Sequence, residues 1–247
     1  MKIATFNVKN KTADLIFHGK RKLYEKYTLN AELIKKANPD IIGLQEMTKS
    51  ELSYLKKAFE DEYDFYGEFR GSLGFTNECC PIMVKKDNLI ILESSTLSLS
   101  NDIHILGKKY FGAMFPRICT DIYIDDGIDL YHISNVHVDN FPVAQKKTFS
   151  ERGSLEKIIY RNDNSSEISI ILGDFNSEIT GNLKLFCDRN FLSDATKNLG
   201  NTYKPLNKSI DHILLCADDV SYFDQTEYLN AGSDHSLIMT KLSSKRR

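Results

Sequence analysis

The chain has 247 residues, 41% apolar and 27% charged, with a formal net charge of −2 and a pI near 6.3. That composition suits a soluble globular domain with a sizeable core, and it supplies no global positive field, which disfavours a non-specific nucleic-acid coater. Five cysteines form no framework: Cys79 and Cys80 are adjacent and Cys119, Cys187 and Cys216 are scattered, as expected of buried thiols in a reducing compartment.

The start, MKIATFNVKN, lacks the apolar core of a secretory leader, and no stretch nears the roughly 18 apolar residues that span a bilayer, so a cytoplasmic protein is expected. Ile3, Thr5 and Asn7 alternate with Ala4, Phe6 and Val8, predicting a first strand. From Lys22 to Ala37 the spacing is helical, with Leu29, Leu33, Ile34 and Ala37 on one face, and Asn38-Pro39 stops it. A second strand, IIGLQE, ends in Glu46; Leu52 to Phe59 reads as a helix and Pro81 to Val84 as a strand. Leu89 to Leu92 reads as a hairpin partner of that strand across Lys85-Lys86-Asp87-Asn88. The polar stretch Ser94 to Gly112 reads as an extended loop, with Lys108-Lys109-Tyr110 either solvated or set to meet a phosphate or a base.

Strands Ile118 to Ile124 and Asp129 to Val138 flank the turn Asp125-Asp126-Gly127. A helix from Ala144 to Tyr160 is expected next. The polar RNDNSSE then leads into ISIILGDFN, a short β-branched run of the kind buried on both faces. A short helix over Asn182 to Asp188 and strands at Ile210 to Leu215 and Ser236 to Leu242 follow, before a frayed tail from Ser243 to Arg247. No repeat or linker divides the chain, so residues 1–247 are read as one domain. Short turns between strands favour a mixed or antiparallel sheet system with helices outside.

Polar residues recur where these strands end: Asn7, Glu46, His137 with Asp139, Asp174 with Asn176, Asp211, and Ser233-Asp234-His235. Any one of them also suits a turn, a cap or a satisfied core position, and Gly-Asp-Phe-Asn alone suits an Asx turn as well as a site. Together they would converge on one rim of a packed sheet assembly.

The ordered set TFN, LQE, NVHVD, GDFN, IDH and SDH, spread from first strand to last, resembles the endonuclease/exonuclease/phosphatase superfamily, the deoxyribonuclease I-like fold. PRICTDI (Pro116 to Ile122) and the approach from Thr226 to Ser233 resemble the magnesium-dependent branch with nocturnin-like and related bacterial proteins. His137 stands where the abasic-site and exonuclease III-like enzymes usually carry tyrosine, and the chain has no tryptophan, which argues against that sub-branch.

The resemblance implies an α/β (α+β type) four-layer sandwich: two mixed, mainly antiparallel sheets packed face to face, with helices outside. It implies a monomeric, divalent-metal-dependent hydrolase of phosphoesters, acting on a nucleic acid, a nucleotide or another phosphate ester. The alternatives are a small-molecule phosphomonoesterase, or a binding module that has lost the chemistry; the complete motif set argues against the latter. Mg²⁺ is the expected ion, with Mn²⁺ able to substitute, because the set is rich in hard oxygen donors and has no thiolate cage.

Carried onto this chain, the resemblance makes Glu46 the leading metal ligand, with Asn7 beside it and Asp234 a further candidate. Asp211 would orient His235, and Asp174 would position the attacking water or bind metal. Asn176 would donate to a phosphoryl oxygen. His137, held by Glu78, would act near the leaving group; Arg117 would clamp the phosphate, and Asp139 would support rather than react. Asp174 and His235 are both tenable as the general base. His212 points to the other side of its strand and is left out.

Overall fold

Alternation along the first strand sets the layering. The computed structural model describes residues 1–10, 15–86, 89–161, 167–216, 220–228 and 232–244. Its first half runs β1 (Lys2–Asn7), α1 (Leu15–Ala37), β2 (Ile41–Gln45), α2 (Lys49–Ala58), β3 (Tyr63–Tyr66), β4 (Ile82–Lys85), β5 (Ile90–Ser98), β6 (Ile118–Asp125) and β7 (Leu130–His137). Then come α3 (Pro142–Phe149), α4 (Ser154–Ile159), β8 (Glu167–Asp174), α5 (Gly181–Arg189), β9 (Leu192–Asp194), β10 (Asp211–Cys216), β11 (Val220–Tyr228) and β12 (Leu237–Ser244).

Two six-stranded sheets result, ordered β11-β12-β1-β2-β4-β3 and β5-β6-β7-β8-β10-β9. Each holds one parallel pair, β1 with β2 and β7 with β8; the remaining pairs are antiparallel. Ala4 and Phe6 face outward under Ile34 of α1 and Leu55 of α2. Ile3 faces inward, where it packs with Ile41 and Ile82 against Ile133, Ile170 and Ile213 of the other sheet. The outer face of that second sheet is covered by Phe149, Leu155 and Phe186 from α3, α4 and α5. These are the four layers expected. Where the sheets approach, a Cβ on Gly43 would lie 2.1 Å from Leu172 Cδ1, so only glycine fits.

Along the inward face each central strand passes from apolar to polar toward the same end. The series are Ile3-Thr5-Asn7, Ile41-Gly43-Gln45, Ile133-Asn135-His137, Ile170-Leu172-Asp174 and, running the other way, Leu215-Ile213-Asp211. Asn135 ties the sheets together midway: its Nδ2 donates to the carbonyls of Leu44, Cys80 and Pro81, and its Oδ1 accepts from Gln45 Nε2 at 2.7 Å. A fully buried amide bonded to both sheets fixes their register in a way an apolar layer would not.

Several sequence expectations need correction. Helix α1 begins at Leu15 and buries Tyr27, Ala31, Ile34 and Ala37, which repeat at helical spacing, whereas Leu29 is 39% exposed. Strands β4 and β5 lie in different sheets, so no hairpin joins them; Asp87 and Asn88 lie outside the described residues. Ser94–Ser98 continues β5 along β6, so the polar excursion is shorter than read. Tyr110 is buried, its hydroxyl accepts from Ser154 N–H, and Lys109 Nζ donates to the Met114 carbonyl, so this stretch ties down its own loop.

The long helix after Val138 is two helices, broken at Ser150–Gly153 where Arg152 adopts φ 57° and Gly153 N–H returns to the Ser150 carbonyl. The short strands β3 and β9 and the nine-residue β11 were not anticipated. The tail from 245, and the part of the approach to Ser233 at 229–231, lie outside the described residues, as does most of RNDNSSE. All five cysteines are free, four of them buried. Among the described residues no helix is long and apolar enough to cross a membrane.

Candidate active site

The polar ends of the inward-facing series meet at one floor. Register sets Asp211 opposite Asp174 on β10 and β8, and Asp174 beside His137 on β8 and β7. Glu46 follows β2 directly with φ 58°, a left-handed conformation that swings its carboxylate over this row. One ligand atom from each of Glu46, His137 and Asp174 lies within 4.8 Å of the others, and the same holds for Asp174, Asp211 and His235.

Asn7 organises the carboxylates. Its Oδ1 accepts Lys9 N–H at 2.9 Å, which fixes the amide orientation and turns Nδ2 inward, to Glu46 Oε1 at 3.0 Å and Asp174 Oδ2 at 2.9 Å. A nitrogen aimed this way spaces two acids. Glu46 Oε2 accepts Asn10 N–H at 2.7 Å.

Gly-Asp-Phe-Asn is both a turn and part of the floor. Asp174 Oδ1 accepts Asn176 N–H at 2.8 Å in an Asx turn, and Asn176 takes φ 49°, so the two side chains do not lie along an extended strand. Asn176 Nδ2 donates to the Val138 carbonyl at 3.0 Å and keeps its second hydrogen. Phe175 turns to the outer, helix-covered face of the second sheet, stacked on Phe149. Gly173 sits at φ +141° and a Cβ there would lie 2.0 Å from the Val136 carbonyl oxygen. Gly173→Ala should therefore lower unfolding stability by about 2–4 kcal/mol, read by urea denaturation; a loss under about 0.5 kcal/mol would show that the strand yields.

His235 and Asp211 form a buried pair, Nδ1 lying 2.9 Å from Asp211 Oδ2, which also accepts from Thr202 Oγ1 at 2.6 Å. Burial opposes the imidazolium, but Asp211, Asp174 and Asp234 outweigh it and bring the His235 pKa to about 9. Its Nε2 is left toward Asp174 Oδ2, 3.8 Å away. Burial, then the charge of Asp211, raises Asp174 to about 6 against the opposing pull of His235. His137 is held well below its usual range by burial and by Arg117 and Arg70, so it is neutral.

Other expected residues stand elsewhere. Glu78 does not hold His137; it pairs with Arg70 Nη1 at 2.9 Å and accepts from Asn10 Nδ2 at 2.7 Å. Arg117 takes the place beside His137, with Nη1 3.0 Å from both ring nitrogens and Nε 3.6 Å from Asp139 Oδ2. Asp139 accepts Phe141 N–H and so shapes the turn after β7. Asp234 joins neither ligand group; its Oδ2 lies 3.1 Å from Lys9 Nζ. His212 faces away as expected, against Asp194 and the Ser177 carbonyl.

Glu46, Arg117, His137, Asp174, Asn176 and His235 line a cleft of about 450 Å³, together with Lys9, Arg70, Phe115, Tyr203 and Lys208. None of the five was singled out by sequence. Lys9 adjoins the TFN motif and was the one within reach; Arg70, in GEFRGSLG, has no pattern around it. The floor suits a hard divalent cation, since its acids are the buried Asp174 and Asp211 and the half-buried Glu46, with no thiolate among them, and Asn7 holds Glu46 and Asp174 together.

The description Endonuclease/Exonuclease/phosphatase family matches residues 4–235, from within β1 to His235. No curated protein matches the chain. Among solved structures the chain is similar to a mannosyl-6-phosphatase of Bacteroides thetaiotaomicron, with TM-score 0.80 and 22% identity over 98% of this chain and 99% of that one. It is similar to an endonuclease/exonuclease/phosphatase of Bacteroides vulgatus, with TM-score 0.84 and 20% identity over 99% and 98%. It is also similar to the human nocturnin catalytic domain, solved with a bound sulfate anion, with TM-score 0.80 and 15% identity over 99% and 94%. At such identities the structures speak for the fold, while the family match runs through every motif on the cleft floor. On that match the chain belongs to the endonuclease/exonuclease/phosphatase family.

Proposed function

We propose that the protein is a divalent-metal-dependent phosphoesterase in which water attacks phosphorus in line. The observation that carries this reading is the row Asp211–Asp174–His137, joined by Glu46 and His235, at the floor of a cleft lined by arginine and lysine. Glu46 would hold the cation beside Asp174, and the cation when bound would supply charge neutralisation at the phosphoryl oxygens.

The protein's own groups divide the remaining work. Asp174, with a pKa near 6, is ionised at neutral pH and close to the ideal for taking a proton from water. His235, charged and oriented by Asp211, donates from Nε2 to a phosphoryl oxygen as negative charge builds there. Asn176 offers its spare amide hydrogen to the same group. The bond from the water oxygen to phosphorus forms as the ester P–O bond breaks, its electron pair passing to the leaving oxygen. Neutral His137 is placed to hydrogen-bond that oxygen. The substrate is a nucleic acid, a nucleotide or another phosphate ester.

The test is hydrolysis of p-nitrophenyl phosphate and bis(p-nitrophenyl) phosphate by purified protein. Activity should appear with Mg²⁺ or Mn²⁺, vanish with EDTA and return on adding back the ion. Absence of hydrolysis of both esters at every ion concentration would overturn the reading.

A further inference from the structure

Arg70 has no part in the mechanism above, yet it is built as firmly as the residues that do. It is 4% exposed while lining the cleft. Its Nη1 pairs with Glu78 at 2.9 Å, its Nε donates to the Thr76 carbonyl at 2.8 Å, and its guanidinium lies 5.1 Å from the centre of the Phe115 ring. Three holds fix the plane of the fork, so little rotamer freedom is left to lose on binding.

Arg117 is the second guanidinium in the same cleft, with Nη1 committed to His137 and Nε near Asp139. Among the described residues neither Nη2 has a hydrogen-bond partner, and neither is among the fully buried atoms left without one, so both keep some exposure on side chains that line the cleft. Each guanidinium has one carboxylate, Glu78 at 2.9 Å and Asp139 at 3.6 Å, and a spare donor that an anion in the cleft can meet. Lys9 and Lys208 add positive charge to the same space.

We infer that Arg70 and Arg117 form a two-guanidinium site for a terminal phosphate, so that this protein selects phosphomonoester dianions over diesters. This rests on the phosphoesterase reading. A monoester carries close to two charges at neutral pH and three non-bridging oxygens, so an oxygen remains for the spare Nη2 donors beside those that the cation, His235 and Asn176 would engage. A diester has one charge and two such oxygens, and leaves the spare donors without that acceptor.

The experiment measures kcat/KM for p-nitrophenyl phosphate and for bis(p-nitrophenyl) phosphate with Mg²⁺, in wild type, Arg70→Met, Arg70→Lys and the double variant Arg70→Met/Glu78→Gln. The double variant removes both charges, so Glu78 is not left buried and unpaired. The monoester-to-diester ratio should fall about 10- to 100-fold in both methionine variants and by less in Arg70→Lys. Binding of inorganic phosphate, titrated calorimetrically without metal, should weaken in parallel. If wild type cleaves both esters and the ratio stays within about twofold in folded Arg70→Met/Glu78→Gln, the selectivity is overturned alone. Wild type that cleaves neither ester overturns the phosphoesterase reading and the selectivity with it.

Discussion

His235→Ala should lower kcat/KM for bis(p-nitrophenyl) phosphate with Mg²⁺ by about 10³-fold. The group lost is a charged donor that Asp211 holds in place from behind, and Asp211 keeps its bond from Thr202 when the imidazole is gone. The thermal midpoint should therefore move by less than about 5 °C. The pH profile sharpens the test. In wild type the rate should rise as Asp174 loses its proton and fall as His235 loses its own, with the bound cation moving both limbs to the acid side of the metal-free values of about 6 and about 9. Removing His235 takes away a positive charge that favours ionised Asp174, so the alkaline limb should vanish and the acid limb should move upward. A variant within tenfold of wild type, with both limbs intact, would remove His235 from the reaction.

Glu46→Gln should weaken Mn²⁺ binding by about 10- to 100-fold and cut Mg²⁺-supported hydrolysis by about 10³-fold. The change keeps the shape but inverts the polarity of one arm. An amide nitrogen would then face either Asn7 Nδ2 or Asn10 N–H, both of which donate to Glu46 in the wild type. Electron paramagnetic resonance of free Mn²⁺ reads the affinity without reference to turnover. Unchanged affinity would mean that the cation sits elsewhere, and Asp174→Asn would be the next variant to examine.

Much of the site was legible because its residues close strands. A strand of alternating pattern places every second side chain on one face, so Asn7 after Ile3 and Thr5, or Asp174 after Ile170 and Leu172, is assigned to the inward face by counting. Glu78 was legible as a residue but not in its role, because its partner Arg70 comes from a loop whose path no periodicity records. Leu29 shows the same limit on a helix: its hydrophobicity pointed inward, while Tyr27 and Ala31 occupy the buried stripe. The break at Ser150–Gly153 escaped notice because Ser-Glu-Arg-Gly, between the apolar Phe149 and Leu155, also suits the solvent face of one continuous helix.

From the sequence alone came the strand-end motifs, their order, and through them the family and the layered fold; these depend on neighbours along the chain and on the two periods of regular structure. Only the tertiary structure decided that Asn7 turns its nitrogen to the acids, that Arg117 rather than Glu78 stands by His137, and that a second guanidinium shares the cleft. Those facts follow from the register of two sheets locked by Asn135 and from loops that cross their ends. Contacts of that kind join residues far apart in the chain, and their geometry is set by packing rather than by local propensity.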